Sequence, residues 1–190
     1  STTDKKFWGQ HNPSWIPDSL RLGGGIMVFN NGLGMTTPYS SIDIIQPPMD
    51  SAGYYSHNTA QSYGPADAVW SYSATPNTSF YSAFISGVEP MQRGHYLICE
   101  GDNGVFFEID SLGNTIWKYI NPVSNVPQTQ GSMPINNSVF RCTRYASDYS
   151  GFNGLTLSTG NLIELNPLPD TCSLFSGIAN VGIDEIGRAH

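Results

Sequence analysis

Four side chains of this sequence carry an imidazole, His11, His57, His95 and His190. Imidazole is the group best suited to nucleophilic or acid–base work near neutral pH. Their settings differ. His190 is terminal, His57 stands in a polar stretch, and His95 follows an arginine-glycine turn at the head of an apolar run. Ordinary structural or surface roles are expected for these three. His11 lies in Phe7-Trp8-Gly9-Gln10-His11-Asn12-Pro13-Ser14-Trp15-Ile16, where three aromatic side chains bracket one imidazole and several polar groups. An aromatic-walled pocket suits an aryl ligand, and a neutral imidazole beside it offers a nucleophile for covalent catalysis. Taken alone, the segment favours a structural histidine over a reactive one, because a lone imidazole seldom defines a site.

The elements that would hold such a residue are short strands. Gly25-Ile26-Met27-Val28-Phe29-Asn30-Asn31-Gly32 aligns without gaps with Gly94-His95-Tyr96-Leu97-Ile98-Cys99-Glu100-Gly101, each an apolar run closed by glycine. A second strand follows each, over residues 40–46 and 105–110, and then a third carrying Trp-x-Tyr, at Trp70-Ser71-Tyr72 and Trp117-Lys118-Tyr119. A further strand is expected ahead of each unit, over residues 14–17 and 80–87, and one more strand or strand pair over residues 138–145. Four short antiparallel strands per unit make a β-propeller blade. Val28, Phe29, Leu97, Ile98, Trp70 and Trp117 are the expected buried residues. Residues 47–65 replace, in the first unit, the tight Ser111-Leu112-Gly113-Asn114 turn of the second, and an insert of that kind belongs outside the blade core. The fold class is therefore all-β, with residues 1–150 forming two to three propeller blades. Residues 151–190 are read as an irregular extension or a partial closing strand.

Composition agrees with this. Of 190 residues only 12% are charged, while 20 are glycine, 13 proline and 10 tyrosine, a turn-rich, β-leaning mixture. The formal charge of -7 gives no electrostatic grip on nucleic acid, and no stretch approaches the ~20 apolar residues of a membrane-spanning helix. The first ten residues carry neither an initiating Met nor an apolar signal core, so a trimmed, soluble chain is expected. Cys99, Cys142 and Cys172 lack metal-ligand spacing, which leaves a Cys142 to Cys172 bridge and buried free thiols both open.

The order of several motifs resembles the bacterial aryl-sulfate sulfotransferases. Gln10-His11 with Trp15-Ile16, the strand Ile26-Met27-Val28-Phe29-Asn30-Asn31-Gly32, Ser79-Phe80-Tyr81-Ser82, Leu97-Ile98-Cys99-Glu100-Gly101, Phe106-Phe107-Glu108 and Val139-Phe140-Arg141 succeed one another as in that family. Asn30 replaces the Asp of one branch, and Ala83 stands where Pro is common. The resemblance implies a six-bladed propeller of which this chain is the C-terminal part. It implies transfer of a sulfuryl group from an aryl sulfate donor to a phenolic acceptor, with no nucleotide donor and no cofactor. His11 takes the position of the histidine that carries the group as a sulfohistidine. Asn12, Trp15, Tyr81, Ser82 and Arg141 are the expected substrate-binding residues, with Arg144 in a supporting role. The family's other catalytic histidines and an arginine precede the matching segment. The implied partner is the remainder of the propeller or a complementing chain, and the implied location is periplasmic or secreted. The competing class is a non-catalytic extracellular propeller serving as a binding or structural module, since propellers host both kinds of function. A quinone-dependent dehydrogenase propeller is disfavoured for want of an acidic metal cluster.

Overall fold

The computed structural model describes residues 5–55, 63–128 and 134–158, and these form an all-β structure. His57, Cys172, His190 and the apolar piece at residues 162–165 lie outside the described residues. The first sheet is an antiparallel meander of β1 (His11–Trp15), β2 (Ile26–Asn30), β3 (Ser41–Ile45) and β4 (Trp70–Tyr72). The second repeats it with β5 (Gly87–Pro90), β6 (Tyr96–Glu100), β7 (Val105–Ile109) and β8 (Thr115–Ile120). Among the described residues no helix is long and apolar enough to cross a membrane.

Alternation along the strands decides what is buried between the sheets. Met27 and Phe29 of β2 and Ile42 and Ile44 of β3 meet Val88 of β5, Tyr96 and Ile98 of β6, and Phe107 and Ile109 of β7. Phe80, from the connection between the sheets, wedges edge-to-face against Phe29 and Phe107, at centroid distances of 5.6 and 5.5 Å. Truncating such a buried ring typically costs about 3–5 kcal/mol. The first strands of the two sheets, β1 and β5, also approach closely. Asn12 Oδ1 accepts from Val88 N at 2.9 Å, and a Cβ at Gly87 would lie 2.6 Å from that oxygen, so only glycine fits there.

Several expectations are corrected. Residues 80–87 are not a strand, and β5 begins only at Gly87. Ile85 and Ser86 have φ of 48° and 82°, and the Ser82 and Ser86 hydroxyls bond each other at 2.8 Å and both reach Phe84 O. Local side-chain bonds of this kind compete with extended pairing. The strand expected over residues 14–17 lies earlier, at His11–Trp15. Residues 138–145 contain no strand. They form a strap across the second sheet, with Val139 N bonded to Gly101 O at 2.8 Å and Arg144 N to Glu89 Oε2 at 3.0 Å.

The two tryptophans are half-buried rather than buried, and they face opposite ways. Trp70 pairs with Ile44 and Tyr72 with Ile42, so both point into the core, where Trp70 stacks on Tyr96 at 4.5 Å. In the second sheet a bulge between Glu108 and Ile109 shifts the register, pairing Trp117 with Glu108 and Tyr119 with Phe106. A slip of one residue turns every side chain to the other face. The second Trp-x-Tyr therefore lies on the outer face, where Tyr119 stacks with Phe106. Of the 47–65 insert, the described part is exposed at residues 48–55 and 63–64 and closes on itself through a Met49–Tyr55 bridge.

Candidate active site around His11

The chain enters the first sheet as an arch fixed to the end of β2. Trp8 N donates to Asn30 Oδ1 at 2.8 Å, and Leu33 N donates to Trp8 O at 3.1 Å. Lys5 covers the Trp8 ring, 3.9 Å from its centroid. Gly9 then turns with φ 69°, a conformation open to glycine at little cost, and its carbonyl comes back over the next strand. That carbonyl lies 3.0 Å from His11 Nδ1.

His11 pairs with Phe29, while Ser14 pairs with Met27, so β1 holds one extra residue. Asn12, at φ 52°, absorbs it as a bulge, and bulges next to reactive residues commonly re-aim a side chain. The His11 ring is half-buried. Its Nδ1 lies 2.7 Å from Asn31 Oδ1. Asn31 is fully buried, and its Nδ2 donates to Ser82 O at 2.7 Å and to Ile85 O at 3.1 Å. Carbonyl oxygens only accept, so the Asn31 amide has one orientation, with Oδ1 toward the imidazole. Both neighbours of Nδ1 are then acceptors, Asn31 Oδ1 and Gly9 O, and the ring proton resides on Nδ1. Nε2 keeps its lone pair and has no hydrogen-bond partner among the described residues. The arrangement commits Nδ1 to two acceptors and leaves Nε2 free.

The other expected site residues fall into two groups. Asn12 and Ser82 have side chains committed to the scaffold. Asn12 bridges to Val88, and the buried Ser82 donates its backbone N–H to Ser40 Oγ at 2.9 Å while its own Oγ accepts from Asp102 N at 2.9 Å. Ser82 O is one of the two anchors of Asn31, which places Ser82 two bonds behind His11. Tyr81 is half-buried, and its carbonyl accepts from Asn103 Nδ2 at 3.0 Å. Arg141 is exposed, with its guanidinium 5.7 Å from the Phe140 ring centroid. Trp15 is 58% exposed and sits at the opposite end of β1 from His11, beside Gln46, Pro47, Pro48 and Met49. The three aromatics around His11 in sequence therefore do not form one wall, because strand extension carries Trp15 away from Phe7 and Trp8.

Arg144 and His95 belong to a separate cluster. Arg144 Nη1 and His95 Nδ1 lie 2.6 and 2.8 Å from the two carboxylate oxygens of buried Glu108. Among the described residues no group of three or more His, Cys, Asp or Glu could hold a metal ion. Asn31 is the functional residue that reading the sequence missed. Asn30-Asn31-Gly32 looks like turn punctuation, and the signal for a role was an asparagine pair directly continuing a buried apolar run.

A family model described as arylsulfotransferase (ASST) matches residues 1–141. No curated protein and no solved structure matches the chain.

Proposed function

The chain belongs to the arylsulfotransferase family, and from that premise we propose that His11 Nε2 carries a sulfuryl group between an aryl sulfate and a phenol. Arylsulfotransferase-type function follows from the family; the covalent route through His11 rests on one observation. Asn31 Oδ1, 2.7 Å away, accepts the hydrogen bond of Nδ1–H and leaves Nε2 with a lone pair.

In the first half-reaction Nε2 attacks sulfur, the N–S bond forms, and the S–O bond to the aryl group breaks. The aryl oxygen leaves with the electron pair and takes a proton, since a phenol has an ordinary pKa near 10. The ring becomes an N-sulfo-imidazolium whose Nδ1–H still points at two carbonyl oxygens, and their negative ends stabilise its charge without reorganising. In the second half-reaction a phenolic oxygen attacks sulfur and gives its proton to the base left when the general acid protonated the first phenol. The N–S pair returns to Nε2. Tyr81 and Arg141 keep accessible surface for donor or acceptor, Trp15 stands at the far end of β1, and Asn12 and Ser82 act as positioning residues.

In this proposal two blades are part of a larger propeller, which closes only with more sheets than the two described and supplies the general acid and the donors to the sulfuryl oxygens. A periplasmic or secreted location suits a low-charge, Asn- and Ser-rich surface. The test is rapid quenching of the whole enzyme after mixing with an aryl sulfate alone, followed by intact-mass and peptide mapping. One sulfuryl adduct on the peptide containing His11 is expected, with none in His11→Ala and no acceptor turnover by that variant. Full transfer activity in His11→Ala would sink the assignment.

A further inference from the structure

The outer face of the second sheet brings together two thiols that are far apart in sequence. Cys99 is on β6 and, alternating with the core residue Ile98, points away from the first sheet. The strap crosses that face antiparallel to β6. Val139 N bonds to Gly101 O at one end, and Arg144 reaches Glu89 and Glu108 at the other. Cys99 Sγ contacts Val139 O at 3.6 Å. Cys142 follows three residues beyond Val139 on the same strap, and its side chain interacts with that of Cys99. Both are free thiols in this structure, Cys99 buried and Cys142 partly exposed.

We propose that Cys99 and Cys142 form a disulfide that fastens the strap to the outer face of the second sheet. The oxidant is a disulfide of the thiol–disulfide exchange class, such as oxidised glutathione. Cys142 is the attacking group, because it is the more accessible thiol, and the bond it shares with Cys99 holds its pKa below the ordinary cysteine value. Cys99 is pushed far up, first by that same bond and then by burial. The Cys142 thiolate attacks one sulfur of the oxidant, forming a mixed disulfide and releasing the other half as thiolate. Cys99 then loses its proton and attacks Cys142 Sγ. The new S–S bond forms, and the second half of the oxidant leaves. Two thiol hydrogens are lost from the protein and two reduced thiols are produced. The second step is intramolecular, so burial of Cys99 does not obstruct it.

The test treats the full chain with oxidised glutathione, blocks remaining thiols by alkylation, and maps peptides without reduction. A Cys99–Cys142 cross-linked peptide is expected, with Cys172 alkylated or glutathionylated. The same cross-link is expected in Cys172→Ser, and reduction should lower Tm by about 10 °C in that variant, given a closed loop of more than 40 residues. In Cys142→Ser reduction should leave Tm unchanged. A Cys142–Cys172 peptide in the parent, or Cys99 and Cys142 both recovered alkylated in Cys172→Ser, would overturn the proposal. Sulfuryl labelling of His11 is read separately, and neither result depends on the other.

Discussion

The two sheets share strand order and connectivity, yet each departs from regular pairing at a different edge. In the first, the bulge lies in β1 at Asn12, and the residue opposite Phe29 is His11. In the second, β5 pairs without a break, and the residue opposite Ile98, the counterpart of Phe29, is Val88. Its bulge lies instead between β7 and β8, where it turns Trp117 and Tyr119 outward. One irregularity thus presents an imidazole on the first strand of its sheet, and the other presents aromatic rings on the face turned from the core. Repeated backbone sets where a residue stands, and a single extra residue sets which way it points.

The largest effect is expected from erasing the difference on that first strand. His11→Val gives the first sheet the residue of the second, and transfer from an aryl sulfate should vanish while the cooperative unfolding transition remains. The reciprocal Val88→His should not create transfer, because position 100 holds Glu100, bonded to Asn103 at 2.6 Å, where the first sheet has Asn31. Activity in Val88→His combined with His11→Val would show that the bulge and Asn31 are dispensable.

A smaller loss is expected from Asn31→Leu. Ser82 O and Ile85 O lose their shared donor, which should cost about 1–3 kcal/mol of stability. With Gly9 O left as its one acceptor at Nδ1, the His11 ring should populate the second tautomer as well, and kcat should fall roughly 10- to 100-fold, as when orienting partners of ligating histidines are removed. Nitrogen chemical shifts of the His11 ring separate the two roles. Lower stability with an unchanged Nδ1–H tautomer would make Asn31 a scaffold residue only.

The smallest effect concerns Glu100 itself. Burial raises its pKa above the ordinary 4.5, against the Asn103 hydrogen bond and the charge of Lys118, which lower it. Folding therefore favours the protonated form. Its contribution to stability is present below pH 4.5 and is lost as the pH rises through the raised value. Thermal unfolding of the parent should weaken relative to Glu100→Gln over that interval. Parallel Tm curves across it would remove the desolvation from the account.

What could be read from the sequence tracks what a strand's neighbours enforce. The central strands β2, β3, β6 and β7 were legible because Met27, Phe29, Ile42, Ile44, Ile98 and Phe107 alternate as a buried face requires. Residues 80–87 also look like a strand, but Ser82 and Ser86 bond to each other and to Phe84 O, and the left-handed φ of Ile85 and Ser86 ends the extension. The opposite facing of the two Trp-x-Tyr strands was hidden, since a bulge adds a residue without changing composition. His11 stood out through its neighbours and the family resemblance. Its partner Asn31 did not, because only the fold brings Ser82 and Ile85 to the asparagine that orients it.

The commitment of the Nδ1 proton to Asn31 and Gly9 has a regiochemical consequence. A free imidazole offers either nitrogen to an electrophile and yields a mixture of isomers that decompose at different rates. With one nitrogen occupied, the carrier can be loaded only on the other. Under the proposed chemistry the trapped adduct is then a single isomer, and its hydrolysis in the absence of acceptor decays as one exponential.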